Sequence, residues 1–204
     1  MRSIFDLDIQ QTSTEAKIVA GLERIAQVFK VLLWEKAERF GLSPIQIQVL
    51  IFIRYHSKEK ATVSHLAKEF NVSKATISET IKVLEKKSYV RKEQHSTDSR
   101  SQTIGLTLEG NSIVLLTESF LDSLSGLVDA VSEKDKILLW KTISGLLHQL
   151  YEAQLIKVQS SCYSCRFFAK ENENKYCLLM QLKLKEQEIR LDCREHQPVL
   201  SQTF

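Results

Sequence analysis

Between Thr14 and Gly41 apolar residues return every third or fourth position: Ile18, Leu22, Ile25, Phe29, Leu32 and Leu33. That is the period of a helix with one apolar stripe, and it predicts a long amphipathic helix over 14–41. The same pattern returns in Leu115, Leu116, Phe120, Leu121, Leu124 and Leu127, and again in Leu138, Leu139, Ile143, Leu146, Leu147 and Leu150. These runs predict one helix from Thr107 to about residue 130 and another from Ser132 to about residue 158. Three such stripes carry more apolar surface than a small domain hides within itself, so a subunit interface is expected to cover the excess. Obligate turn-formers are scarce, with 6 glycines and 2 prolines among 204 residues. A many-stranded fold needs more of them, so the chain is expected to be mostly α.

The centre of the chain is punctuated differently. In "LSPIQIQVLIFIRYH", Ser43 caps a helix, Pro44 suits its first turn and Gln46 completes the capping-box spacing. In "ATVSHLAKEFNVSKATISETIKVLEKK", Leu66, Ala67 and Phe70 form the inner stripe of one short helix. Asn71 suits a left-handed helix end, and Ser73 caps the next helix. Two short helices joined this tightly make a helix-turn-helix. After them "YVRKEQHSTDSRSQTIGLT" switches to alternation, which predicts a small hairpin with its tip between Gln94 and Ser101.

The second of these helices has an unusual outer face. Ile77, Ile81 and Leu84 point inward, and the outer positions hold Lys74, Thr76, Ser78, Glu79 and Lys82. Short hydroxyls among lysines let a backbone approach a DNA groove closely and still reach phosphates and base edges. The candidate DNA-binding set is Ser73, Lys74, Thr76, Ser78, Glu79 and Lys82 on the helix, with Lys92, His95, Asp98 and Arg100 on the hairpin. Arg91 lies beside them. The spacing of Asp98 and Arg100 lets the carboxylate steady the guanidinium, and a steadied arginine suits a narrow minor groove. A polar outer face alone means only solubility. The order helix, tight turn, serine-capped helix and basic hairpin is what turns the reading towards double-stranded DNA.

Over residues 15–155 this order resembles the MarR-type winged-helix transcription regulators. The resemblance is carried by "LSPIQIQVL", "VSHLAKEFNVSKATISETIKVLEKKSYV" and "STDSRSQTIGLTLEG". It implies a homodimer whose terminal helices intertwine. Each recognition helix and wing would then grip half of a near-palindromic operator, with half-sites about one helical turn apart. It also implies control by a small-molecule effector in the crevice between the dimer helices and the DNA-binding lobe. Two positions depart from the family pattern: Glu79 stands where arginine is common, and Ser88 where glycine is common. A carboxylate at 79 can accept from a cytosine amino group. Serine at 88 is expected to strain the entry to the wing.

Beyond Val158 the composition changes, and all four cysteines of the chain fall there: Cys162, Cys165, Cys177 and Cys193. A C-x2-C pair with two further cysteines can close a tetrahedral structural zinc site, which is the favoured reading. An iron–sulfur cluster is the alternative, since four thiolates suit it as well. Disulfides and free thiols are disfavoured by a reducing compartment. His196 is a fifth candidate ligand.

The resulting layout is an N-terminal dimerisation helix (1–41), a winged helix-turn-helix domain (42–108), C-terminal dimerisation helices (109–158) and a four-cysteine metal-binding extension (159–204). The net charge of +3 is too small for a whole-protein nucleic-acid argument, so the charge must act locally. The N-terminal stretch lacks the apolar core of a signal peptide, and no window has the roughly 18 apolar residues of a membrane span. A cytoplasmic protein without membrane partners is expected. No nucleophile elbow or phosphate-cradling glycine loop occurs, so an enzyme is not expected. The function read from the residues is a sequence-specific DNA-binding regulator, acting as a repressor. Two alternatives stay open. One is a redox or electron-transfer protein built around the cysteines, the other a winged helix used only for protein contacts.

Overall fold

The computed structural model describes residues 3–94, 102–158, 160–172 and 174–199. A short helix α1 (Leu7–Thr12), which the periodicity did not announce, is capped by Asp6 and precedes the long helix α2 (Thr14–Arg39). Ser13 caps α2 by accepting from the Ala16 N–H at 3.1 Å. Gly41, at φ 60°, turns the chain out of it. Next comes α3 (Pro44–Tyr55), with the full capping box between Ser43 and Gln46. Its Ile47, Val49 and Leu50 are fully enclosed.

Helices α4 (Val63–Glu69) and α5 (Lys74–Lys86) form the helix-turn-helix. The joint is closed by Asn71 at φ 52° and by the Val72 N–H, which donates to the Ala67 carbonyl at 3.0 Å. Strands β1 (Val90–Gln94) and β2 (Gln102–Leu106) pair antiparallel, from Val90 opposite Leu106 to Gln94 opposite Gln102. They make the wing. One core joins α3, α4, α5 and the wing base to Leu33 and Ala37 of α2 and Val114 of the following helix.

The helix expected to run from Thr107 to about residue 130 is broken. It appears as α6 (Leu108–Thr117), a single helical turn over Glu118–Leu121, and α7 (Asp122–Asp129). Thr117 ends the first of these pieces. Its buried hydroxyl donates back to the Ile113 carbonyl at 2.8 Å and lies 3.3 Å from that of Val114. The last long helix, α8 (Glu133–Glu152), stops short of residue 158. Gln154 takes φ 58° just beyond it.

The C-terminal part folds into a small lobe. Its sheet is antiparallel in the order β3 (Phe168–Glu171), β4 (Asn174–Cys177) and β5 (Leu182–Leu184). Lys175 is buried at its centre and donates to both carboxylate oxygens of Glu186 at 2.7 Å and to the Tyr163 hydroxyl at 3.2 Å. A buried ammonium needs partners of this kind. Among the described residues, no helix is long and apolar enough to cross a membrane.

Candidate nucleic-acid interface and cysteine centre

Three fully buried side chains, Ile77, Ile81 and Leu84, seat α5 on the core. That seating turns the opposite face outward, where Lys74, Thr76, Glu79 and Lys82 are exposed and Ser78 is half-buried. Ser73 has a local task as well. Its hydroxyl accepts from the Thr76 N–H at 3.0 Å and sits 2.8 Å from the Thr76 hydroxyl. One sequence candidate is thus the cap that fixes the helix start, and only its remaining hydrogen-bonding capacity is available outward.

The charges on this surface are loosely restrained. Lys82 reaches Glu79 at 3.3 Å, with both side chains about two-thirds exposed (68% and 69%). Such a pair contributes little and is easily exchanged for a phosphate. Lys92 bonds Glu85 at 2.7 Å and so ties the wing to α5. Arg91 is held by Glu93 at 2.9 Å, and Lys58 approaches the other oxygen of that carboxylate at 3.3 Å. The Lys58 bond first, and then the Arg91 bond, hold the Glu93 carboxyl below its ordinary range. Glu93 crosses the hairpin over Gly105, where an added Cβ would stand 2.6 Å from its Oε1. Three wing candidates, His95, Asp98 and Arg100, lie outside the described residues.

Sequence reasoning missed Glu93, Glu85 and Lys58, which set where the basic side chains rest. The period-2 spacing of Arg91 and Glu93 was a usable signal for one of them. The other two meet the wing only through the tertiary fold.

The second constellation lies in the C-terminal lobe. Cys162 opens a short helical turn (Cys162–Ser164) and Cys165 follows it, Cys177 ends β4, and Cys193 comes from the last loop. All four line one cavity of about 330 Å³, together with Phe167, Phe168, Met180, Leu182 and Ile189. Among the described residues, no three His, Cys, Asp or Glu side chains are grouped as a single metal ion would require.

Arg190 serves two of the sulfurs. Its backbone N–H lies 3.2 Å from the Cys162 Sγ, and its guanidinium lies 3.6 Å from the Cys193 Sγ. Burial pushes the Cys162 thiol up, against the pull of the Arg190 N–H, and its neighbours Cys193 and Cys177 push the same way. His196 faces elsewhere: its Nε2 is 3.0 Å from the Ser164 hydroxyl. Desolvation comes first in lowering its pKa. The cavity is complete without it. Nothing in the cysteine spacing pointed to Arg190.

Comparison with known proteins bears on the first constellation. Residues 40–101 match the MarR family model. The chain is 28% identical over 114 residues to the HTH-type transcriptional repressor YetL of Bacillus subtilis (strain 168), spanning 54% of this chain and 66% of that repressor, just under two thirds of its length. The structure of the S. aureus MepR–DNA complex is similar at a TM-score of 0.54 and 25% identity, over 63% of this chain and 94% of that one. Streptococcus pneumoniae FabT in complex with DNA shares the fold at a TM-score of 0.55 and 22% identity, over 67% of this chain and 97% of that one. The four cysteines lie outside the matched family segment. The helix-turn-helix and the described strands of the wing thus fall in or beside the segment that matches the MarR family model, and they fold as a winged helix-turn-helix.

Proposed function

We propose that the protein is a DNA-binding transcription regulator that works as a homodimer on a near-palindromic operator, as a repressor. The observation that carries this reading is the outer face of α5. Lys74, Thr76, Glu79 and Lys82 stand clear of the core on a serine-capped helix, beside a wing whose Lys92 is tied to that helix through Glu85. MepR and FabT, which share the fold, have been solved with DNA, and YetL is a repressor.

Dimerisation is supported by unpartnered apolar side chains on the helices outside the core. Ile18, Leu22, Ile25 and Trp34 of α2, and Leu138, Leu139, Leu146 and Leu150 of α8, are all exposed in the single chain. An apolar surface of this extent calls for a protein partner, and a second copy places the same helices against each other. Electron transfer with an idle winged helix accounts for the cysteines but leaves the α5 face without a task.

The test is a salt titration of binding to genomic duplex fragments. Affinity should fall with salt at a log–log slope of about −0.9 per neutralised phosphate. Lys82→Ala should weaken binding across sequences and make the slope shallower by about one. Affinity and slope unchanged in both Lys74→Ala and Lys82→Ala would rule out this face as the contact surface.

A further inference from the structure

Three separate stretches of chain bring four thiols to one space, and the winged helix-turn-helix explains none of them. We propose that this space takes a cubane [4Fe–4S] cluster on Cys162, Cys165, Cys177 and Cys193, and that occupancy of the lobe governs DNA binding. The regulatory half rests on the function proposed above, whereas the cofactor half stands without it.

The size of the opening separates the two metals that four thiolates admit. A zinc ion draws its four sulfurs to about 2.3 Å from itself and leaves no void between them. Here all four cysteines line one cavity of about 330 Å³, and among the described residues no three of them are grouped as a single ion requires. A cubane core fills such a gap because its irons sit at the corners of a body with its own width, and each corner takes one thiolate. Phe167, Phe168 and Ile189 contribute half-buried or buried apolar surface to the lining, which limits the access of water to a cluster there. Arg190 supplies N–H donors to two of the sulfurs, an arrangement that stabilises electron-rich thiolates and tunes the centre. On binding a preformed [4Fe–4S]2+ cluster, each thiol gives its proton to solvent. Its sulfur then replaces a labile ligand on one iron, and no electron moves.

The lobe is docked where it can be felt by the DNA-binding domain. The Cys193 N–H donates to the Ser160 carbonyl at 3.0 Å, and the Ser160 hydroxyl accepts from Lys60 at 2.9 Å. Beside this bond Asp192 lies 4.0 Å from His56. The next residue after Lys60, Ala61, accepts from the Ile104 N–H of the wing at 2.8 Å. A cluster that fixes the Cys193 loop therefore fixes the segment on which the wing is footed.

The experiment uses the full chain purified without oxygen, with zinc, iron and acid-labile sulfide measured beside its visible spectrum. About four irons and four sulfides per chain are expected, with broad visible absorption. One zinc and no sulfide, or about two irons, overturns the cubane. Chain stripped by chelation and then titrated with a preformed thiol-ligated [4Fe–4S]2+ cluster gives the second readout. Cluster-bound protein should bind its preferred duplex at least about fivefold more tightly than stripped protein. Equal affinity of the two forms overturns the coupling. If neither form binds any duplex at low salt, the DNA-binding reading falls and the coupling with it, while iron and sulfide content still decides the cofactor. Cys165→Ser and Cys177→Ser should each lower the iron content, and full content in both overturns the four-thiolate set.

Discussion

Ser88 sits at φ 60°, in the left-handed region that side chains with a Cβ enter at a cost. The strain expected from a serine at this position is therefore present in the fold. The position matters because it is the corner between α5 and the wing. Ser88's own carbonyl accepts from the Thr107 hydroxyl at 2.6 Å, and the next carbonyl, that of Tyr89, accepts from the Thr107 N–H at 3.1 Å. Gly110 allows this closeness, since a Cβ there would stand 1.9 Å from the Tyr89 oxygen. Ser88→Gly should relieve the corner without loss of its backbone bonds. After the greater freedom of glycine in the unfolded chain is subtracted, the gain is up to about 1 kcal/mol, or roughly 2–4 °C in Tm for a chain of this size. A thermal melt of the two proteins checks it, and a lower Tm for the glycine variant would show that the serine side chain contributes something the backbone geometry does not.

Elements whose ends are written in capping residues were legible from the residue order alone. Ser43, Ser73, Thr107 and Ser132 each cap the helix that follows, as read, and Ser13 and Thr62, which the reading did not single out, do the same, because a hydroxyl accepting from the first turn is a local interaction that needs no tertiary fold. The break after Thr117 was not legible. A threonine in an apolar helical run reads as a tolerated residue, and Thr142 makes the same bond to its own helix without a break there. The small sheet of the lobe also escaped notice. Its strands are three or four residues long, too short for an alternating pattern to stand out. The α5 face was read correctly as an outer surface, but the wing's ion pairs with Glu85 and Glu93 depend on where the hairpin packs. Leu84, enclosed at the helix-turn-helix centre, tests the seating directly: Leu84→Ala should cost about 2–5 kcal/mol in denaturant unfolding. A loss well below that range would mean that α5 is held by its caps and wing contacts instead.

At the scale of the whole molecule the exposed apolar helices set the terms. Trp34 is 64% exposed in the single chain, which excludes a core role and leaves it to the dimer interface proposed above. Leu22→Lys combined with Leu146→Lys should abolish self-association while leaving the buried core of the winged domain untouched. Sedimentation at micromolar concentration reads the outcome, and an unchanged dimer would place the interface elsewhere. The stretch from His56 to Ala61 has a consequence of a different kind. Because it touches the lobe through Lys60 and the wing through Ala61, a substitution there changes two neighbours together. In an alanine scan scored on operator affinity alone, Lys60 would pass for a phosphate-contacting lysine. The ionic-strength dependence tells them apart: Lys60→Ala should weaken binding with its salt slope intact, whereas a true backbone contact takes a released counterion with it. Residues that shape an interface from behind are thereby separable, in a single buffer series, from those that touch it.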